Sequence, residues 1–146
     1  MIRIQKIIIH EFRGIRNLEF EISGENFAVC GPNGTGKSGI VDAVEFALSG
    51  NISRLSGQGT GGLSVKDHGP HVDSRDNPDR SYVELDIVIV SSGKLAKIRR
   101  TIKNARIPTI TPDDIEIKTV LEHIERHPEF VLSRRELIRY ILSEPG

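Results

Sequence analysis

The stretch Gly31-Pro32-Asn33-Gly34-Thr35-Gly36-Lys37-Ser38 decides the fold, because it matches the pattern G-x-x-x-x-G-K-[ST] at every required position. Glycines let the backbone adopt left-handed conformations and approach a phosphate group closely. Successive backbone N–H groups, together with the positive end of the helix that follows, then face the anion. The pattern therefore predicts a loop that binds a nucleoside triphosphate, with ATP as the expected ligand.

Two side chains of this loop have predicted chemical roles. Lys37 is expected to reach the β- and γ-phosphates and to act in catalysis, and the Ser38 hydroxyl is expected to coordinate Mg²⁺. The alternative reading is an ordinary glycine turn, and the flanking sequence argues against it. The expected phosphate-binding residues of the loop and helix start are Gly34, Thr35, Gly36, Lys37, Ser38 and Gly39.

The residues on either side of the loop supply the context that the motif requires. The apolar run 27–30 before it predicts a short central strand, in which Cys30 is a buried thiol. A helix is predicted from about Lys37 to Leu48, and Ser49-Gly50 is expected to end it. The predicted buried stripe of this helix consists of Ile40, Val41, Val44, Ala47 and Leu48.

Alternating and β-branched residues predict several strands in the rest of the chain. Strands are expected at 2–9 and 18–22, joined by a turn over 12–16. Residues 81–90 predict a strand that buries Val83, Leu85, Ile87 and Ile89, followed by a turn at 91–93 and a return strand over 94–102. Thr111-Pro112-Asp113-Asp114 predicts a helix start, with Thr111 as cap, and the helix is expected to reach about Arg126.

Two further segments complete the predicted organisation. Residues 49–80 are rich in glycine and serine, and poor order is expected there, above all over 56–62. Ser133-Arg134-Arg135-Glu136 is a capping box that predicts a last helix over 137–142. The chain is thus predicted to be one domain, 1–146, with strands, loop and helix in 1–50, a flexible stretch in 51–80, and a hairpin with helices in 81–146.

The bulk composition excludes several classes of protein. Twenty basic residues balance twenty acidic ones, so no global field draws the chain to nucleic acid or membrane. A single cysteine excludes an internal disulfide framework. No signal-peptide pattern and no apolar run near the ~20 residues of a membrane span are present. A cytoplasmic location, at the nucleoid, is therefore expected, without membrane contact.

Two motif-like stretches are interpreted as structural. Leu55-Ser56-Gly57-Gln58 spells the start of the signature sequence of ABC-type ATPases, but four residues unsuited to a helix follow it, whereas that motif must open one. His68 and His71 with Asp67 and Asp73 suggest a metal site, yet no further ligands stand at suitable spacing. A solvated loop is the favoured interpretation of both stretches.

The carboxylates needed for hydrolysis do not follow the loop. Phosphate-loop enzymes hold Mg²⁺ with a second carboxylate at the end of an apolar strand. No run of four apolar residues followed by Asp or Glu occurs after residue 38, and Asp86 precedes its apolar run rather than following it. The sequence therefore contains the binding half of a site without its catalytic carboxylates.

Three stretches together carry a family resemblance: Glu11-Phe12-Arg13-Gly14-Ile15, the loop 31–38, and Asp42-Ala43-Val44. Over residues 1–50 the chain resembles the N-terminal half of the ATPase head of SMC-like proteins, a family that includes SbcC, RecN, RecF and the eukaryotic double-strand-break repair ATPases. The resemblance implies an α/β P-loop NTPase fold, namely an ABC-ATPase head lobe with an antiparallel β subdomain. In that family the head is split by a coiled coil, so the resemblance accounts for the missing carboxylates and suggests a truncated chain.

The same resemblance implies further residue roles and partners. Arg13 would help to bind the nucleotide phosphates, although a surface arginine in a turn remains an alternative. Asn33 would approach the γ-phosphate or the opposing subunit. The implied partners are the C-terminal half of the head, a second head in a homodimer, DNA, and a possible nuclease subunit. The family's usual glutamine before the last helix is absent near Arg134, so its substitute is unassigned.

A cluster of basic residues within thirteen positions contains no acid, and it predicts a candidate contact with DNA phosphates. A solvated hairpin is the alternative, and the lack of aromatic residues gives no indication of base stacking. The cluster consists of Lys94, Lys97, Arg99, Arg100, Lys103 and Arg106.

The sequence thus predicts an ATP-binding lobe of an SMC-like ATPase in DNA repair or chromosome maintenance, driven by ATP-dependent head dimerisation. Alone, this chain is expected to hydrolyse ATP very slowly or not at all. The alternatives are a nucleotide- or DNA-binding module without turnover, a RecF-like or anti-phage ATPase, and a transporter ATPase.

Overall fold

The computed structural model describes residues 1–56, 65–71 and 77–127. Its frame is a five-stranded sheet in which every neighbouring pair is antiparallel, with the order β2-β1-β3-β4-β5. The strands are β1 (Ile2–Phe12), β2 (Ile15–Glu21), β3 (Tyr82–Ile89), β4 (Leu95–Thr101) and β5 (Thr109–Thr111). The predicted hairpin of β3 and β4 is confirmed. The predicted turn over 12–16 is too wide, because β1 extends to Phe12 and β2 begins at Ile15. The strand β5 is an element that the sequence patterns did not indicate.

Four helices accompany the sheet in the described part of the chain. They are α1 (Lys37–Ser49), α2 (Ser53–Ser56), α3 (Val65–His68) and α4 (Ile115–Arg126), with a 3-10 turn at Pro78–Arg80. The helix predicted after the glycine loop is confirmed, as is its end: Gly50 adopts a left-handed φ of 72° and donates its N–H to Phe46 O. No described helix combines the length and the apolar composition that crossing a bilayer requires.

The core lies between α1 and one face of the sheet. Period-two alternation places Ile7 and Ile9 of β1 on that face. The four predicted residues of β3 lie on the same face: Val83, Leu85, Ile87 and Ile89. Phe46 of α1 packs over them and contacts Phe12, with ring centroids 5.2 Å apart. Each such side chain contributes about 1.5–3 kcal/mol by leaving water, so this layer holds α1 on the sheet.

The long connection between α1 and β3 is fastened to the frame at both ends. Soon after α1, the Glu45 carboxylate accepts hydrogen bonds from Ser53 N at 2.8 Å and Ser53 Oγ at 3.2 Å. After α3, Pro70 forms a β-bridge with Phe12, and Gly69 O accepts from Arg13 N at 2.6 Å. The connection is therefore held to α1 where it begins, and it returns to the sheet next to the β1–β2 turn.

The predicted strand at 27–30 is wrong in the described structure. These residues form no strand, Phe27 is 51% exposed, and Cys30 is exposed rather than buried. A strand needs a neighbour with which to pair its backbone, and the described sheet ends at β2 on this side. Apolar composition alone did not reveal whether a partner strand is present.

The predicted buried stripe of α1 is only partly correct. Ala47 and Leu48 are buried, Ile40 and Val44 are partly buried, and Val41 is 50% exposed. Ala43 and Phe46, which the predicted stripe left out, are fully buried. Because α1 is apolar around most of its circumference, its sequence did not specify which side the sheet would cover.

The start of α4 also differs from the prediction. Asp114, not Thr111, is the cap, and its carboxylate accepts from Glu116 N and Ile117 N. The predicted end at Arg126 is confirmed. Residues 57–62 of the predicted flexible stretch, and the capping box and last helix over 133–142, lie outside the described residues.

Candidate nucleotide-binding site

The glycine loop leads directly into the first turn of α1. Gly34 and Gly36 have φ angles of 86° and 85°, which side chains with a Cβ atom rarely adopt. Gly36 is the N-cap, and it supplies no side chain to bond the N–H groups of the first turn. The first N–H groups of a helix lack i−4 partners by position, so the loop and the helix start present donors to an anion.

Lys37 and Thr35 fold the loop onto itself. Lys37 Nζ donates to Gly31 O at 2.6 Å and also to Pro32 O, while Thr35 Oγ1 donates to Pro32 O at 2.9 Å. The loop residues 31–35 and Ser38 are exposed. The ammonium group thus lies within the loop, held by carbonyl groups with which a phosphate oxygen can compete.

The turn between β1 and β2 packs against this end of the helix. A Cβ atom placed on Gly39 would lie 3.3 Å from Ile15 Cδ1 and 3.9 Å from Arg13 Cβ. Arg13 itself has a left-handed φ of 54°. The structure therefore brings the turn Phe12-Arg13-Gly14-Ile15 and the first turn of α1 together, as expected if Arg13 belongs to the phosphate site.

The guanidinium of Arg13 contacts a carboxylate one turn along α1. Its Nη2 lies 3.3 Å from Asp42 Oδ2, and its Nη1 donates to His68 O at 3.3 Å. Arg54 of α2 approaches the same carboxylate, with Nη1 at 3.4 Å from Asp42 Oδ1 and 3.5 Å from Oδ2. Asp42 has no exposed surface, so one buried carboxylate is shared by two arginines.

Burial raises the pKa of the Asp42 carboxyl, whereas the guanidinium groups of Arg54 and Arg13 oppose that shift. Sequence reasoning used Asp42 only as part of a family pattern and did not single out Arg54. A signal for Asp42 was available, because an acid stands here four residues after Ser38, between the apolar residues Val41 and Ala43. Arg54 belongs to no recognised motif, and only the fold brings it near the site.

The donor set fits a nucleotide phosphate. Left-handed glycines, uncapped helix N–H groups, Lys37 and Arg13 offer positive potential from several directions. Ser38, at the helix start, presents the hydroxyl that a magnesium ion of a bound nucleotide requires. Within the described residues, no three His, Cys, Asp or Glu side chains cluster as metal ligands.

Among the described residues of the two motif-like stretches, only the His68 carbonyl reaches this site, where it accepts from Arg13 Nη1. Leu55 is buried in the core at α2, and Gly57 and Gln58 lie outside the described residues. His71 Nδ1 lies 3.6 Å from Glu11 Oε2, and His68 is exposed. Asp73 falls outside the described ranges.

Arg100 is not part of a DNA-facing surface, and its inclusion in the basic cluster was wrong. Its side chain has no exposed surface and donates to Ala47 O at 3.1 Å, Leu48 O at 3.4 Å and Ala105 O at 2.5 Å. It also pairs with Glu125 Oε1 at 2.7 Å. Alternation along β4 puts Arg100 on the core face with Ala96 and Ile98, opposite Lys97 and Arg99.

Four other cations of the cluster are exposed in part but paired with acids from other segments. Lys97 contacts Glu84 and Asp86, at 2.6 Å and 2.9 Å, and Arg99 lies 3.7 Å from Glu84. The remaining pairs are Lys94 with Asp114 and Glu116, and Lys103 with Asp79. Counting acids only within 94–106 missed these partners, because the strand pairing and the fold supply them.

An apolar groove of 980 Å³ opens beside the glycine loop. It is bounded by the uncovered side of α1, by α4 and by the start of β1. The segment that leads into the loop contributes Phe27 and Val29. The principal apolar residues along it are Ile2, Ile4, Ile22, Phe27, Val29, Ile40, Val41, Val44, Val120 and Ile124.

Comparison with known proteins agrees with this architecture. Residues 6–143 match the AAA domain family. The chain is 34% identical, over an alignment of 156 residues covering 97% of it, to 13% of the chromosome partition protein Smc of Aquifex aeolicus. It is 42% identical over 50 residues, 33% of the chain, to 4% of the SbcC component of the nuclease SbcCD of Bacillus subtilis.

A solved structure shows the same fold. The SMC head domain from Thermotoga maritima superposes with a TM-score of 0.55 at 15% identity, covering 97% of this chain and 51% of that one. The chain spans 4–13% of the length of the curated relatives it matches. By its family match the chain belongs to the AAA domain family, and its fold is that of about half of an SMC head domain.

Proposed function

We propose that this chain is the ATP-binding N-terminal lobe of an SMC-like ATPase acting in chromosome maintenance or DNA repair. The observation that carries the proposal is the junction of loop 31–38 with α1, where left-handed glycines, Lys37 and uncapped N–H groups converge beside Arg13. Relatives named for chromosome partition and for a nuclease support the biological setting. A cytoplasmic, nucleoid-associated location goes with that setting.

In this proposal the loop binds the triphosphate, and each residue has a defined task. Backbone N–H groups from Asn33 to Ser38 surround the β- and γ-phosphates. Gly39, whose N–H donates to Gly36 O at 2.8 Å, and Lys37 exchange their carbonyl partners for phosphate oxygens. Ser38 ligates the Mg²⁺ that accompanies the nucleotide. Arg13 adds a second cation from the β1–β2 turn.

Calorimetric titration of the 146-residue chain with MgATP tests the binding site. Lys37→Ala removes a charge-assisted hydrogen bond of about 1.5–3 kcal/mol, which corresponds to about 10- to 100-fold weaker binding. Lys118→Ala, an exposed lysine on α4, is the matched control and is expected to bind like the unaltered chain. Equal affinity of the Lys37 variant and the control would refute the site.

Hydrolysis, in this proposal, needs groups that other parts of the full protein supply. The apolar groove beside the loop is where the C-terminal half of the head would pack, pairing segment 27–30 and bringing the catalytic carboxylate. The isolated chain is then expected to release phosphate from ATP very slowly or not at all. Rapid turnover by the pure chain would show that the site is not split.

Two heads are proposed to enclose ATP between them, with the exposed Asn33 near the opposing subunit. Sedimentation of the full-length protein with and without ATP tests this step: a nucleotide-independent monomer would contradict it. The alternative of a nucleotide-binding module without turnover predicts that the full-length protein also fails to hydrolyse ATP. The RecF-like, anti-phage and transporter alternatives share this lobe and differ in the segments attached to it.

DNA and a nuclease subunit are the proposed partners. The hairpin cations Lys94, Lys97, Arg99 and Lys103 support only weak DNA contact, because each would have to exchange an acidic partner for a phosphate. Neutralising Lys97 and Arg99 together is expected to reduce the salt dependence of DNA binding by about two counterions. An unchanged salt slope would place the DNA contact elsewhere.

A further inference from the structure

Asp42 is a carboxylate with no exposed surface in the second turn of α1, the helix that follows the glycine loop. It stands four residues after Ser38, which places it about 6 Å further along the axis of α1. Two arginines from different segments approach it: Arg13 at 3.3 Å and Arg54 at 3.4 Å. A buried carboxylate is tolerated only while it is paired, so at least one of these arginines must remain with it.

The two arginines differ in what else they can reach. The backbone of Arg13 is fixed beside the first turn of α1, by its hydrogen bond to Gly69 O and by its packing near Gly39. Its guanidinium is 24% exposed, lies 3.3 Å from Asp42 and donates to His68 O at 3.3 Å, so a move to the loop would release both partners. Arg54 lies on α2, and α2 is tied to α1 through Ser53 and Glu45. The structure shows no contact between Arg54 and residues 31–38 among the described residues.

We propose that Asp42 and Arg54 control the availability of Arg13 by counter-ion exchange. The phosphates of the nucleotide draw the Arg13 guanidinium from Asp42 to the loop, and Arg54 stays behind to compensate the buried carboxylate. Arg54 and Asp42 are then positioning residues, which act on the nucleotide only through Arg13. This inference rests on the proposed nucleotide site, and it adds how Arg13 is released from Asp42 to bind the phosphates.

Counter-ion exchange predicts a different result from a model in which Arg54 contacts the nucleotide directly. Without Arg54, departure of Arg13 would leave Asp42 buried and unpaired, so Arg13 stays where it is and the nucleotide loses a ligand. If Asp42 is neutral, Arg13 is free whether or not Arg54 is present. A loss caused by Arg54→Ala should therefore be rescued by Asp42→Asn, although neither residue touches the nucleotide.

The test is MgATP titration of the 146-residue chain carrying Arg54→Ala, Asp42→Asn, and both changes. Arg54→Ala is expected to weaken binding roughly tenfold, a coupling of ordinary size for neighbouring charges. Asp42→Asn alone should bind at least as tightly as the unaltered chain, and the double variant should recover to within about threefold of it. Arg126→Ala, an exposed arginine on α4 in an i,i+4 pair, is the control and should change nothing.

Several outcomes overturn the proposal. Arg54→Ala binding like the control excludes a role for Arg54, and a double variant as weak as Arg54→Ala means that Arg54 contacts the nucleotide directly. Weakened binding by Asp42→Asn means that Asp42 instead orients Arg13 toward the phosphates. Because Asp42 is buried, Arg54→Lys and Arg54→Gln provide a second pair at an exposed position: the lysine should retain binding and the glutamine should lose it. If the unaltered chain binds no MgATP, the proposed function itself fails, whereas normal binding with no effect of Arg54 fails the exchange alone.

Discussion

The two ends of α1 are held in opposite ways. At the C-terminal end, Arg100 is fully buried and bonds three carbonyl groups and Glu125, and Gly50 closes the helix in a left-handed conformation. At the N-terminal end, Lys37 bonds exposed loop carbonyls, and Arg13 shares Asp42 with Arg54. The comparison shows one end with fixed partners, which anchors the helix, and one end whose partners can be exchanged for a ligand.

The largest expected effect comes from breaking the fixed end. Arg100→Met leaves the carbonyls of Ala47, Leu48 and Ala105 without this donor and frees Glu125, at an expected loss of about 3 kcal/mol in the free energy of unfolding. Urea denaturation measures it, with Arg99→Met on the exposed face of β4 as control at about 1 kcal/mol or less. If the two ends act separately, the folded Arg100→Met variant binds MgATP with unchanged affinity. If Arg100→Met and Arg99→Met lower the free energy of unfolding by similar amounts, Arg100 does not anchor the helix.

A smaller loss is expected from Gly50→Ala. A Cβ atom at residue 50 would collide with Ala105 O and lie 2.7 Å from Arg100 Nη1, in addition to the strain of a φ of 72°. The expected destabilisation is about 2–3 kcal/mol. Gly93→Ala measures the cost of the left-handed backbone alone, because Gly93 has a φ of 69° and open space where its Cβ would lie. In thermal or urea unfolding, Gly50→Ala should destabilise the chain more than Gly93→Ala. Equal losses of stability would mean that the contacts around Arg100 shift to make room for the new Cβ atom.

The smallest effect concerns α4, which carries Glu125 to the anchor. Asp114 caps α4 and accepts from Lys94 Nζ at 2.7 Å, and this hydrogen bond with Lys94 lowers the pKa of its carboxyl. Asp114→Ala is expected to lower the Tm by a few degrees at pH 7.

The pH dependence of that loss has a definite sign. A carboxyl whose folded-state pKa lies below its unfolded value stabilises the fold above the unfolded value, near 3.8, and loses this effect as the pH falls through the folded-state pKa. The difference in Tm between the unaltered chain and Asp114→Ala should therefore shrink below pH 3.8. Asp113→Ala, at an exposed neighbour, serves as control. If the difference in Tm between the unaltered chain and Asp114→Ala does not change with pH, the charge of Asp114 does not contribute to it.

Local patterns predicted the loop, the bounds of α1 and the β3–β4 hairpin, because each depends on residues close in sequence. The same reasoning failed where the conformation or burial of a residue depends on a partner that is distant in the sequence. Segment 27–30 has the composition of a buried strand, but the described sheet offers it no neighbour. Arg100 has the composition of a surface cation, but the register of β4 turns it inward. Its alternation with Ala96 and Ile98 was a usable signal that the charge count concealed.

The candidate site divides in the same way. Lys37 and Ser38 follow from a contiguous motif, whereas the sharing of Asp42 by Arg13 and Arg54 joins three segments that are 12 to 41 positions apart in the sequence. Such a cluster is fixed by the packing of the β1–β2 turn against α1 and by the path of the chain after α1. No short pattern encodes either.

The double fastening of the connection after α1, through Ser53 on one side and Gly69 with Pro70 on the other, has a practical consequence. The two anchors use different partners, Glu45 for Ser53 and the β1–β2 turn for Gly69 and Pro70, so each can be weakened by substitution while the other remains.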